Sequence, residues 1–277
     1  MSSRALVLSG GGFAGAAWML GLVDGLRRGG VDLGQADLIV GTSAGARTGA
    51  QLATGGLDAA VAMHRRGEAP SIDVPVGLDA FVAASMRIVA EVGDGAEAAR
   101  RIANLDPLGP RLGDPAQRAR AIATHVPARA WPERRLAITV VDASDGSRVV
   151  FDAGSGVSLL DALLASGALP GIFPLTTIEG RRYADGGVHS LYNADLAAGH
   201  DVVVVVSPMP LDGYLKAKLD AEVSLLGGAT VHVVAADAAS LAAIGPNPIS
   251  ADTAPAALEA GAAQSEREIE GLRPIWD

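Results

Sequence analysis

The chain has 277 residues, no cysteine, and 22 basic against 31 acidic residues, a net charge of −9. The missing cysteines exclude a disulfide framework, a thiolate nucleophile and Cys-ligated zinc or iron–sulfur sites. The acidic balance argues against a nucleic-acid partner, which would need a basic face. Hydrophobic residues make up 49%, yet the apolar runs, such as Val202–Val206, fall short of the ~18–20 residues of a membrane span, so no integral membrane segment is expected.

In chain order, Arg4–Ser9 reads as a buried strand, followed by Gly10–Gly12 and a helix from Phe13 to Arg28. Arg4 ahead of an apolar stretch imitates a signal peptide, but the glycines interrupt that stretch. The cytoplasm is therefore the expected compartment. Asp37–Gly41 is a second strand and Ala44 to about Thr54 a second helix. Strand, glycine turn and helix, twice in succession, predict parallel βαβ packing with both turns at the C-terminal edge of one sheet.

Residues 57–130 differ in character. Leu78, Phe81, Val82, Met86 and Val89 recur at helical spacing, with breaks at Pro70, Pro75, Pro107, Pro110, Pro115 and Pro127. This predicts a helical insertion, either an ordinary layer or a cap over a pocket. The Leu78–Val92 stripe suits core packing or transient contact with a membrane surface. Further strands are expected at Leu136–Val141, Arg148–Asp152, Leu175–Ile178, Arg181–Tyr183, Asp201–Val206 and Thr230–Val234. Helices are expected at Ser158–Gly167 and Pro255–Leu272. Neither a linker nor a repeat is visible, so residues 1–277 read as a single domain.

Three glycine-bearing motifs carry the chemistry. Gly10-Gly11-Gly12-Phe13-Ala14-Gly15 follows a strand and leaves backbone N–H groups at a helix N-terminus, suited to a phosphate or a developing oxyanion. It also matches a dinucleotide-binding pattern, but no acid closes the second strand to hold a ribose. That strand instead ends in Gly41-Thr42-Ser43-Ala44-Gly45, a G-x-S-x-G motif between strand and helix, which presents Ser43 as a nucleophile. A serine needs a base. His200 precedes a strand and lies at the opposite edge, His232 falls inside a strand, and His64 and His125 sit at helix ends, where solvation is expected. His189 is in a loop without an orienting acid. Asp185, in Tyr183-Ala184-Asp185-Gly186-Gly187, is the better candidate.

Gly10–Gly15, Gly41–Gly45 and Asp185–Gly187, in this order, resemble the patatin-like phospholipases, Ser–Asp dyad lipid acyl hydrolases. Ala165–Pro174 resembles the family segment that precedes the dyad aspartate, and Asn193 lies where the family often has Asn-Pro. The resemblance implies an α/β fold, a three-layer sandwich with a mostly parallel central sheet, helices on both faces and a helical insertion. It implies Ser43 and Asp185 as the catalytic pair and Gly10, Gly11 and Gly12 as the oxyanion hole. Gly15, Gly41, Gly45, Gly186 and Gly187 support the motifs. The substrate would be a fatty-acyl ester or phospholipid, with neither cofactor nor metal. Two positions depart from the family: Ala14 stands where a basic residue is common, and Ala194 replaces the proline. A phosphate- or nucleotide-binding protein using Gly10–Gly15, and a non-catalytic member, are the alternatives.

Overall fold

A computed structural model describes residues 2–276 apart from Ser71, Asp73, Pro75 and Arg111. Pro75, an expected helix break, lies outside the described residues. The strands are β1 (Arg4–Leu8), β2 (Leu38–Thr42), β3 (Arg135–Asp142), β4 (Arg148–Phe151), β5 (Thr176–Ile178), β6 (Arg181–Asp185), β7 (Val202–Ser207) and β8 (Thr230–Ala235). The helices are α1 (Gly12–Arg28), α2 (Ala44–Ala53), α3 (Leu57–Arg65), α4 (Leu78–Val92), α5 (Ala96–Ala103), α6 (Pro115–His125), α7 (Leu159–Ser166), α8 (Gly213–Val223), α9 (Ala238–Ile244) and α10 (Ala254–Trp276).

β3, β2, β1, β7 and β8 form a parallel core, and β4, β5 and β6 add antiparallel pairings at the β3 end. Successive side chains of a strand face opposite sides, and the core divides accordingly. Leu6, Leu8, Ile39, Val204 and Val206 join the larger cluster with α1, α2, α7 and α10. Ala5, Val7, Val40, Val203 and Val205 face the other way, under α8 and the short turns around Ala194 and Leu226. Full burial of each such Leu or Ile is worth ~1.5–3 kcal/mol.

The segment 57–130 does not behave as one layer. Leu57, Ala60 and Val61 of α3 and Ile122 of α6 belong to the main core. α4 packs on α5 through Phe81, Ile88, Val89, Ala98 and Ile102, while Ala99 and Ala103 of α5 rest on Val141 and Ala184 of the sheet. On α4, Val82, Met86 and Val92 are exposed, at 47%, 44% and 40%.

Candidate active site

The register of β3 explains how two distant motifs meet. Val140 and Val141 pair with β4 on one side and with β6 on the other. A strand has only two edges, so β6 shares its edge of β3 with β2, which pairs from Leu38↔Arg135 to Thr42↔Thr139. β2 runs parallel to β3 and β6 antiparallel, so their C-terminal ends point at each other. β2 stops opposite Thr139 and β6 stops with Asp185 opposite Val140. Ser43 and Asp185 are the residues at this junction.

Ser43 follows β2 with φ 53° and ψ −112°, a left-handed backbone that a non-glycine residue enters at a cost of order 1–3 kcal/mol. The surroundings enforce it. At Gly45 a Cβ would lie 1.9 Å from the Leu8 carbonyl oxygen, and at Gly41 one would lie 2.5 Å from Ala46 Cα. The Ser43 N–H donates to Ser166 Oγ at 2.9 Å. Asn193, fully buried, donates through Nδ2 to Thr42 Oγ1 at 3.0 Å and to Thr139 Oγ1 at 3.3 Å.

Asp185 is 3% exposed. Its Oδ1 accepts from the Gly187 N–H at 2.8 Å, and its own N–H donates to the Ala168 carbonyl at 3.0 Å. Gly186 lets the chain turn here, because a Cβ would come within 2.3 Å of Thr139 Oγ1. Burial pushes the Asp185 carboxyl up to about 6, against the opposing pull of the Ser43 hydroxyl, the Gly187 N–H and the Arg118 charge. The Ala165–Pro174 block gains a physical role: Ser166 holds the backbone of Ser43 and Ala168 that of Asp185. The sequence identifies the block, but nothing in its spacing assigns those bonds.

The glycine loop lies beside this pair: a Cβ on Gly10 would lie 3.7 Å from Ser43 Cβ. The expectation that all three glycines offer free donors needs correcting. Gly10 gives its N–H to the Leu191 carbonyl at 3.0 Å, which satisfies it within the protein. Among the described residues nothing accepts from the N–H groups of Gly11, Gly12 or Ala44. Gly15 packs against Pro208 in the first turn of α1. The Pro248 carbonyl accepts the Ala14 N–H at 3.0 Å, and its oxygen would lie 2.3 Å from a Cβ at Gly12. This chain segment covers the end of α1 where a pyrophosphate would rest, against the dinucleotide alternative.

Ser43, Asp185, Gly10, Gly11 and Gly12 all line one cavity of about 380 Å³. Its remaining wall is largely apolar, from Leu78, Phe81, Met86 and Val89 of α4 together with Phe173. Also in its lining, Asp94 between α4 and α5 meets α8: Lys218 Nζ donates to Asp94 Oδ2 at 2.8 Å and Tyr214 Oη at 3.2 Å. Sequence reasoning missed α8 and this contact, because Gly213–Val223 has no apolar stripe and buries only Leu219 and Glu222.

Two buried arginines in the wall, Arg47 and Arg118, were also missed. Arg118 lies 5.2 Å from the Phe173 ring centroid and donates to the Leu164 carbonyl. Arg47 was legible in principle, since four residues on a helix separate it from Ser43 and such pairs share a face. The histidines need a second correction. His64 and His125 do end helices, but both are buried and stack on each other at 5.5 Å. Packing of α3 and α6 on the main core hides them. His189 lines the cavity; its ring makes no hydrogen bond to Ser43 among the described residues. No group of three or more His, Asp or Glu side chains with metal-binding geometry occurs among the described residues. No described helix is long and apolar enough to cross a membrane.

The chain was compared with known proteins. No curated protein sequence matches it. Among solved structures it is similar to VipD from Legionella pneumophila, with 15% identity and a TM-score of 0.45, over 98% of this chain and 67% of that one. It is also similar to the type III effector protein ExoU, with 17% identity and a TM-score of 0.42, over 99% of this chain and 54% of that one. The chain thus spans about two thirds of the first and about half of the second. The family model described as patatin-like phospholipase matches residues 6–198. The chain belongs to the patatin-like phospholipase family, hydrolases that act on lipid esters.

Proposed function

We propose that the protein is a serine acyl hydrolase that cleaves carboxylic esters of fatty-acyl lipids through Ser43 and Asp185. The observation that carries this reading is the head-to-head meeting of β2 and β6, which sets a strained serine beside a buried carboxyl raised to about 6. Ser43 Oγ attacks the ester carbonyl while its proton passes to Asp185. The oxyanion is held by the N–H groups of Gly11 and Gly12, with that of Ala44 adjacent; one such donor is typically worth about 2.7–4 kcal/mol. Collapse expels the alcohol, which takes the proton from Asp185. Water then attacks the acyl-enzyme with Asp185 as base, releasing the fatty acid and restoring Ser43. The apolar wall formed by α4 and Phe173 takes the acyl chain, and α4 with α5 acts as the cap of a single-domain fold.

The test is the intact mass after treatment with a fluorophosphonate. One adduct on the wild type, absent from Ser43→Ala and strongly reduced in Asp185→Asn, is the expected result. An unlabelled wild type, with and without detergent micelles, would favour a non-catalytic member of the family.

A further inference from the structure

Arg118 belongs to none of the motifs. It sits on α6, in the 57–130 insertion, one turn before Ile122 of the main core. The side chain is 3% exposed and lines the cavity together with Ser43 and Asp185. Its guanidinium lies against the Phe173 ring, and Nη2 donates to the Leu164 carbonyl.

That carbonyl is in the last turn of α7, where helical carbonyls run out of partners. The two N–H groups beyond it pass it by: Gly167 donates to Leu163 at 3.2 Å and Ala168 to Ala165 at 3.0 Å. A guanidinium supplies the missing donor and sets a positive charge at the negative end of the helix. The same turn carries the two groups that hold Ser43 and Asp185. Ser166 Oγ accepts the Ser43 N–H, and the Ala168 carbonyl accepts that of Asp185. One side chain thus braces the turn from which both members of the pair hang.

The charge of Arg118 also reaches the carboxyl. Burial raises Asp185 to about 6 and Arg118 opposes it; burial lowers Arg118 to about 10 and Asp185 opposes that. Other charges around Asp185 are occupied elsewhere. Arg47, His189, Lys218, Asp94 and Asp212 share the cavity wall, but none is among the influences on the carboxyl. Asp142 of β3 pairs with Arg181, and on α5 Glu97 pairs with Arg100 while Arg101 pairs with Glu91. Asp161 of α7 accepts from Ser158 at the far end of that helix.

We propose that Arg118 is a positioning residue of the Ser43–Asp185 pair, bracing the α7 turn that holds both backbones and turning its charge on the Asp185 carboxylate. The inference rests on the reading of the pair as the reacting groups and gives α6 of the insertion a part in the chemistry.

The experiment compares Arg118→Gln and Arg118→Lys with the wild type. It reads kcat and KM on one fatty-acyl ester against pH, together with the 13Cγ titration of Asp185, assigned by its loss in Asp185→Asn. In Arg118→Gln the acid limb of kcat/KM and the 13Cγ midpoint should both move up by about half a unit to one unit, less than for a directly paired guanidinium. The plateau kcat should fall about tenfold and KM change less than about twofold, because the pair shifts while Phe173 keeps its place beside Ile172 and Ala121. Arg118→Lys should return the midpoint to the wild-type value with the charge, but recover the plateau only in part, since an ammonium lacks the planar fork. A folded Arg118→Gln with an unmoved midpoint overturns the proposal even where Tm falls, because an arginine that only supports the fold lowers Tm alone. If Arg118→Gln does not fold, Arg118→Lys decides: a moved midpoint or an unchanged kcat overturns the proposal. Fluorophosphonate labelling of the wild type keeps the two readings apart. An unlabelled, inactive wild type refutes the pair as reacting groups, and the 13Cγ midpoints still decide whether Arg118 acts on Asp185.

Discussion

The carboxyl of Asp185 is destabilised by the same burial that makes it a usable base. Its pKa rises from 3.8 to about 6. An acid whose folded pKa lies above its unfolded value penalises the fold above the folded pKa, and the penalty disappears as pH falls below the unfolded value. A shift of this size corresponds to ~3 kcal/mol. Arg118 would lose its nearby acid on neutralisation of Asp185, which returns part of that gain. Asp185→Asn should therefore be more stable than the wild type at pH 8, by about 1–3 kcal/mol, and match it near pH 4. Its ester turnover should be abolished, while wild-type turnover climbs with pH through about 6. Urea unfolding at both pH values checks the stability half. A variant less stable at pH 8 would mean that the site stabilises the carboxylate and that its pKa lies low.

At the scale of elements, what the sequence revealed and what it hid divide along a physical line. The five parallel strands and the helices that follow β1 and β2 announce themselves through continuous apolar runs and glycine turns, because both arise from local sterics and burial. Ser43 and the glycine loop stand out as candidates for the same reason, whereas Asp185, on its own a plain turn aspartate, is singled out only by its company with those two motifs. The bonds from Ser166 and Ala168 were not, since they depend on a β3 edge shared by β2 and β6, a fact of topology. The contact of Asp94 with α8 was hidden too, because α8 carries no periodic signal. That contact joins two walls of the cavity through side chains that are part-exposed, Lys218 at 26% and Asp94 at 42%, and exposed ion pairs are worth only ~0–1 kcal/mol. It can open at little cost. The cysteine-free chain allows a direct test. Asp94→Cys with Lys218→Cys, joined by a short bismaleimide, should lose most of its turnover of vesicle-borne lipid. The same double variant left unlinked should retain it. Equal turnover with and without the linker would mean that α4 and α5 stay in place while lipid enters.

For the molecule as a whole, the stacked His64 and His125 set the response to acid. Burial is the main cause of their low pKa values, about 4 and about 3, and the charge of Arg47 adds to it. Among the described residues His125 Nδ1 has no hydrogen-bond partner, and the contact of Nε2 with the Pro70 carbonyl at 3.3 Å favours protonation less than burial opposes it. A histidine with a depressed folded pKa binds its proton in the unfolded chain first. Stability is thus full above about 6.5 and is lost as pH falls toward the folded values. Between pH 7.5 and 5 each histidine removes roughly 2 kcal/mol, while protonation of Asp185 near 6 returns about 1 kcal/mol. The net expectation is a loss of about 2–3 kcal/mol, a large share of the stability of an ordinary domain. Urea unfolding at the two pH values should show it. Replacing both rings, His64→Leu with His125→Leu, should remove most of this loss, leaving the buried carboxyls of Asp185 and Glu222, which gain stability as pH falls, against His189, whose ring burial also holds low. A double variant that loses stability as steeply as the wild type would place the acid sensitivity in other groups, and would remove the evidence that these rings sense the charge of Arg47.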